Sequence, residues 1–510
     1  MTTCTHPKLR CAIAALTAAG LLCAMPAGFA AGETATAKTQ AEMSTAVPAQ
    51  TASTPFSIVR VGKKWGALAP SGTLVIPAEY DEITSYAADA LAVRQGKKWG
   101  IVRLDGTILV PVAYKGIDPI KADTIVVQDA KDKYGAYDTA GRLLLPVEYS
   151  SVTPFYDGIS CVQRKDKKYV YYRRDGSLLN DTAYTSGSRF SEGLAAVMPT
   201  KKQAGYIDTT GALAIPAIYT NAATFQEGLA EVEIKGKTGF IDKTGTMVIA
   251  PQFRYDYVRG FHEGLAMVKE KKHWAFIDKT GKKVIETRYE DVSPFENGLA
   301  EVLREVKSGS IGGFLFSAIT IGAGIPTFGV GADLTNEKIK RGYIDRTGTE
   351  IISAKNDYNS VFQDDIALVV VKGKWGAVDR MGAYVVEPKY KGMHFFYEDL
   401  AAVQDGEKWG FVGRDGKIVI APKYDEVHDF TEGIAAVREG TRSFFIDKTG
   451  HVPFLVPSMI TDIGTFNGGF APVKIDLKWG FIDHTGTVVI APAYDEVRTH
   501  QITQDTLRRR

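Results

Sequence analysis

The sequence predicts an all-β protein of tandem repeats, about 34 residues each, forming hairpins or meanders in an open β-solenoid-like array. Three observations carry that expectation. Lys97-Lys98-Trp99-Gly100, Lys374-Trp375-Gly376, Lys408-Trp409-Gly410 and Lys478-Trp479-Gly480 are one motif written repeatedly. Short apolar runs alternate with turn chemistry such as Asp105-Gly106, Asp175-Gly176 and Asp415-Gly416, which are strong hairpin signals. No window beyond the N-terminus holds a sustained 3.6-residue apolar period, so helix is expected to be scarce.

The first segment, residues 1–30, reads as a signal peptide. Lys8 and Arg10 supply a positive start, Cys11 to Met25 an apolar stretch, and Gly28 and Ala30 the small residues that favour cleavage after Ala30. Cys23 follows Leu22, where a lipoprotein signal needs a small residue. The expected address is therefore exported: periplasmic, cell-surface or secreted. Residues 31–55, rich in Ala, Thr, Gln and Ser, read as a flexible linker.

Repeats fill 56–306 and 339–498. Aligning the Gly of each Trp-Gly, or its equivalent, gives twelve units: Gly66, Gly100, Gly135, Val170, Gly205, Gly239, Ala275, Gly342, Gly376, Gly410, Phe444 and Gly480. A well-preserved unit reads Phe225-Gln-Glu-Gly-Leu-Ala-Glu-Val232, then Thr238-Gly-Phe-Ile-Asp-Lys-Thr-Gly245, then Met247-Val-Ile-Ala-Pro-Gln-Phe253. Three units are degenerate, carrying Val170, Ala275 and Phe444 in place of Gly. The recurrent Asp is expected to serve its turn; one carboxylate per turn falls far short of the six to eight oxygens calcium takes. The recurrent Trp is expected to pack inward, beside a Gly that admits a neighbouring backbone.

This string, Lys-Trp-Gly-[Phe/Tyr]-Ile-Asp-x-Thr-Gly followed by Val-Ile-x-Pro-x-Tyr-Asp, resembles the WG-repeat (KWG) family of bacterial proteins from Phe56 to about Val497. The resemblance implies β-rich repeats and a binding or scaffolding role, with no shared catalytic residues. Two architectures suit such units. An open array tolerates any repeat number. The alternative is closure into one or two β-propellers, whose blades are usually longer.

Residues 307–338 are an insertion. Leu229 lies 10 residues before Gly239 and Leu299 lies 43 before Gly342. Ser308 to Ala332 carries no charge and is rich in Gly, Ile and Phe. A loop that long and apolar invites a role in contacting a membrane or an envelope complex. A hidden thirteenth repeat competes, since Gly313-Phe314 and Pro326-Thr327-Phe328 mimic the motif. Residues 499–510 read as a polar tail.

The formal charge of +2 includes Lys8 and Arg10 and no acid from residues 1–30, so the mature chain is 2 − 2 = 0. Interleaved signs argue against nucleic acid as a partner. Three of four cysteines fall in the signal segment, and Cys161 occupies an apolar-run slot, which predicts a buried, inert thiol. His262, His273, His394, His428, His451, His484 and His500 fall at different repeat phases and form no metal-ligand spacing. No catalytic, cofactor-binding or metal residues are assigned, and no enzyme is expected. Adjacent acids such as Asp81/Glu82 and Asp425/Glu426 are the only support for a carbohydrate-active enzyme. Neighbours on one strand point to opposite faces, a poor acid/base pair. The post-proline tripeptides Tyr80-Asp-Glu82, Tyr289-Glu-Asp291, Tyr424-Asp-Glu426 and Tyr494-Asp-Glu496 would line up as an aromatic and acidic stripe. The expected activity is non-catalytic binding or scaffolding at the bacterial envelope, with a protein or a cell-wall glycan as partner.

Overall fold

The computed structural model describes residues 56–254, 258–270, 273–305 and 339–499. The expected signal peptide and linker, the 307–338 insertion and all of the tail but Thr499 lie outside the described residues. Among the described residues every element is a β-strand. The strands form twelve antiparallel sheets, one for each aligned Trp-Gly position, numbered here 1 to 12 from Gly66 to Gly480.

Sheet 6 shows how 34 residues hold four strands. They are Asn221–Ala222, Leu229–Ile234, Lys237–Asp242 and Met247–Phe253. A first strand of two residues makes the unit short. The first two turns each hold two successive residues at positive φ, the second of them Gly. Glu227 (φ 51) and Gly228 (φ 84) join the first two strands, and Lys235 (φ 50) with Gly236 (φ 75) the next two. Paired positive φ values give the two-residue hairpin turn whose twist matches the strands. The third turn is closed by Asp242, whose Oδ1 accepts Thr244 N–H at 2.9 Å and Thr246 N–H at 3.0 Å. Asp278, Asp345, Asp447 and Asp483 repeat this bonding, so the recurrent Asp is a turn residue.

The Trp-Gly glycine has a steric origin. A Cβ on Gly100 would lie 2.7 Å from the Val110 carbonyl oxygen and 2.8 Å from Val112 Cα. The fourth strand bulges over the third there, as the register jump between the Trp99↔Tyr114 and Ile101↔Val110 pairs shows. Where Gly is replaced, the fourth strand suffers. The sheets of Val170 and Phe444 have three strands, and that of Ala275 has a fourth strand of four residues, Lys283–Glu286.

The open array is corrected by the closure. The strands Ser57–Val61, Lys64–Leu68 and Leu74–Tyr80 of sheet 1 are completed by Glu496–Thr499 from the other end of the chain. Ser57 pairs with Thr499 and Val59 with Val497. The core confirms the ring. Twelve buried apolar clusters each bridge two successive sheets. Phe240 and Ile249 of sheet 6 meet Phe261 and Val268 of sheet 7. The closing cluster joins Val59 and Leu68 to Phe481 and Tyr494. Each sheet thus buries one face against the next and the twelfth against the first. This is a β-propeller, the alternative architecture, in one ring. Each buried Phe or Leu contributes about 1.5–3 kcal/mol, so closing the ring is favoured over leaving two end faces bare.

The hairpin that carries the insertion is intact at its base, with Glu305 paired to Ile339 and Arg341 to Leu303. Twelve described sheets close the ring, and the hidden thirteenth repeat expected as an alternative at 307–338 lies outside the described residues.

Candidate functional site: the fourth-strand edges

The post-proline tripeptides do not form an exposed aromatic stripe. Tyr80, Tyr289, Tyr424 and Tyr494 are all buried. Their acids are bound within the ring. Asp81 accepts Lys64 Nζ at 2.7 Å and Gly96 N–H at 2.6 Å, and Glu82 pairs with Arg94 at 2.7 Å. Asp425 and Glu426 repeat this with Lys408 and Arg438, and Asp495 and Glu496 with Lys478 and Arg60. The Lys64 hydrogen bond and the Gly96 amide hold the Asp81 carboxyl below the usual carboxylate range. The Asp and Glu of each pair are tied to different strands. Asp291 differs: it is half-buried and burial raises its pKa.

The Trp expectation holds in part. Trp65 and Trp274 are buried, whereas Trp99, Trp375, Trp409 and Trp479 are half-buried. Cations cover several of these rings, with Arg498 3.9 Å above Trp65 and Arg94 5.6 Å from Trp99. Cys161 is buried, and its thiol is pushed up to about 12 by that burial, so it stays protonated and inert. His394 shares a hydrogen bond with Asp429 at 2.8 Å, and His484 with Glu432 at 2.9 Å. His500 lies outside the described residues. Among the described residues no group of three or more His, Cys, Asp or Glu is placed to hold a metal.

A polar departure from the apolar core occurs in sheets 6 and 8. Glu231 and Glu301 stand in the Leu-Ala-x-Val slot that other sheets fill with Ala92, Cys161, Met267 or Ala402. Glu301 is buried and paired to Arg341 at 3.0 Å. Glu231 is half-buried, and its Oε1 is shut off from solvent without a hydrogen-bond partner among the described residues. Burial pushes its carboxyl up to about 7, against the pull of Arg259.

Exposed apolar side chains recur in one place. The opening residue of the fourth strand is Leu74, Ile108, Leu143, Leu213, Tyr384, Ile418 and Val488 in seven of the sheets, 38–60% exposed, and Leu178 holds the equivalent place in the three-stranded sheet 4. Strand alternation puts the third residue of each fourth strand inward, as with buried Ile76, Val110 and Val386. The register shift between the Ala67↔Ile76 and Leu68↔Leu74 pairs breaks that alternation and leaves the opening residue exposed, where burial demands nothing apolar. Successive edges are adjacent: Gly141, in the turn of sheet 3, stands 3.0 Å from the Leu109 carbonyl oxygen of sheet 2, measured from its would-be Cβ. The same strands carry a backbone edge blunted by the bulge and by Pro77, Pro111, Pro388 or Pro422, so recognition here falls to side chains. This column was missed in the sequence; comparing the residue after each Gly-Thr or Gly-x turn across all units would have found it.

A family model described as WG containing repeat matches ten segments: 65–99, 134–169, 205–237, 239–273, 274–305, 342–375, 375–409, 409–440, 444–479 and 479–499. No curated protein matches the chain. Among solved structures, BamB from Moraxella catarrhalis is similar at 12% identity and a TM-score of 0.26, over 66% of this chain and 91% of that one. A eukaryotic initiation factor is similar at 10% identity and 0.34, over 77% and 98%. PorZ of Porphyromonas gingivalis, a surface component of the type-IX secretion system, is similar at 10% and 0.23, over 86% and 81%. At such scores these likenesses carry no functional weight.

Proposed function

The chain belongs to the WG-repeat family, and we propose that it is an exported, non-catalytic binding or scaffold protein of the bacterial envelope. The observation that supports this reading is the column of exposed apolar residues on the fourth-strand edges. A ring whose core is complete gains no stability from leucine in water, whereas recurring apolar patches are what protein partners bury. The bound state of the tripeptide acids fits the same reading, because Asp81, Glu82, Asp425 and Glu426 spend their lone pairs on the ring's own lysines, arginines and amides. Export follows from the basic and apolar character of residues 1–30. A cell-wall glycan is the other partner class the reading admits, and residues 308–332 of the insertion its candidate membrane contact.

Capture from the envelope fraction with the mature protein, alongside sedimentation with peptidoglycan and with lipid vesicles, tests this. A retained envelope protein supports the reading. Retention by none of the three would sink it.

A further inference from the structure

One repeat position breaks the charge balance of the ring. The residue before the Tyr that closes each unit, or before its counterpart (Phe253 in sheet 6, Asn356 in sheet 8, Ile460 after sheet 11), is Glu79, Ala113, Glu148, Ala183, Ile218 and Gln252 in sheets 1 to 6, and Met459 and Ala493 in sheets 11 and 12. In sheets 7 to 10 it is Arg288, Lys355, Lys389 and Lys423. Four successive sheets thus carry a cation at a position where no other sheet does. The register fixes the equivalence: Arg341 pairs with Asn356, Trp375 with Tyr390 and Trp409 with Tyr424, and the lysine precedes each partner.

Sheet 9 sharpens the imbalance. The Lys of Lys-Trp-Gly normally pairs with an Asp after that Tyr, as Lys64 does with Asp81, Lys408 with Asp425 and Lys478 with Asp495. In sheet 9 the Asp is replaced by Lys391. Lys374 loses its counterion, and a second cation stands in its place. Among the described residues Lys355, Lys374, Lys389, Lys391 and Lys423 are exposed, and no carboxylate is recorded within ion-pair reach of them, although the ring otherwise pairs its charges extensively. Arg288 is the exception, 3.5 Å from Glu350, and Glu387 is the exposed acid on the Lys389 strand. The Lys389 and Lys423 ammonium groups sit 5.2 and 5.1 Å from the rings of Tyr390 and Tyr424, which holds them in place. The same strands open with Tyr384 and Ile418, 46% and 51% exposed, and Met381 in the turn before Tyr384 is 81% exposed.

We propose that the fourth-strand edges of sheets 7 to 10 form a docking surface for an acidic protein segment that carries apolar side chains. This rests on the envelope-binding reading and names its partner chemistry. Unpaired cations attract carboxylates, while the exposed apolar residues between them favour a partner with apolar side chains. A glycan would instead call for a row of flat aromatic faces, of which Tyr384 is the single exposed example on these edges.

The probe is a labelled peptide of repeating Glu-Glu-Leu, titrated by fluorescence anisotropy. One variant carries Lys355→Glu, Lys389→Glu and Lys423→Glu. A control with the same charge change carries Lys131→Glu, Lys165→Glu and Lys201→Glu on sheets 3 to 5. Unchanged circular dichroism and urea midpoints establish that both fold. The expected result is about a tenfold or greater loss of affinity in the first variant, roughly 1.4 kcal/mol or more, little change in the control, and weaker wild-type binding as salt rises. Equal losses in both variants, or no binding by the wild type, overturn the proposal. So does binding of polygalacturonate or anionic vesicles at this surface without the peptide. Capture from the envelope fraction separates the two readings. A triple variant that retains the same envelope proteins as wild type overturns this surface and leaves envelope binding standing. A wild type that retains nothing ends the broader reading.

Discussion

The carbonyl oxygen of Ile76 stands 2.6 Å from the point at which a side chain on Gly66 would begin. The backbone nitrogen of Ala78 is 2.9 Å from the same point. Neither atom belongs to a side chain that can swing away. Gly66→Ala is therefore expected to lower stability by about 1–3 kcal/mol, the cost of overpacking a close contact, with the loss centred on the fourth strand Leu74–Tyr80. A urea melt against wild type checks it; Val59→Ala, a cavity variant at the same junction, provides a scale.

The same contact explains what the sequence made legible and what it hid. Gly, Asp and Pro act over a few residues, so the turns, the twelve units and the purpose of Trp-Gly could be read directly. The degenerate units were visible too, and Val170 and Phe444 mark the sheets that lack a full fourth strand. Closure was not legible. Two neighbouring units read alike whether sheets stack in line or fan into a ring. Only the pairing of Ser57 with Thr499, from opposite ends of the repeat region, decides between them. The candidate surface was hidden for another reason: Leu74, Ile108 and Ile418 look like core residues until the bulge sets which face they take.

Tryptophan substitutions are expected to differ by sheet. Trp65 is buried, and Trp65→Ala should cost about 3–5 kcal/mol in chemical denaturation. Trp409 is half-buried with its ring 5.0 Å from His394, so Trp409→Ala should cost clearly less. Equal losses would mean that burial does not set the contribution of this motif.

Stability should fall as pH rises toward neutrality and above. Burial raises the Glu231 carboxyl to about 7 in the folded state, above the ordinary 4.5 of a glutamate. Between those values the folded state binds more protons than the unfolded state, so the slope of unfolding free energy with pH is negative. The contribution is full below the unfolded pKa and lost once pH passes about 7. A loss on the order of 1–3 kcal/mol is expected. Arg259, which faces Glu231, and Asp291, Glu301 and Arg341 on sheet 8 stay in place in Glu231→Gln, which should flatten the profile in urea melts across pH 5 to 8.5. A wild-type profile already flat there would show that the carboxylate finds a partner.

Glu305 and Ile339 remain paired across the insertion. Replacing 306–338 with the Lys-Gly turn that joins the strands of sheet 6 should therefore leave the thermal transition within a few degrees of wild type. Loss of envelope retention alone in that variant would place an interaction in the insertion. Unfolding would place those residues in the core.

Ring closure makes the sharpest demand on the chain. In an open array the end units are expendable, and each end strand contributes only its own contacts. Here Glu496–Thr499 is the first strand of sheet 1, bonded to Ser57–Val61. Arg60 pairs with Glu496 at 3.0 Å, Asn467 Nδ2 donates to the Phe56 carbonyl at 3.2 Å, and Arg498 covers Trp65. Removing the chain after Asp495 deletes few residues yet unpairs the first and last sheets together. It should lower stability far more than its length suggests, and expose Lys-Trp-Gly hairpins at both ends to protease. A circular permutant tests the converse. Because Ser57 and Thr499 are neighbours, joining 499 to 56 by a short linker and opening the chain within the Lys372-Gly373 turn should preserve every strand pair. Near-wild-type stability in the permutant, with a marked loss in the truncation, is the signature of a closed propeller. Equal tolerance of both changes would restore the open array.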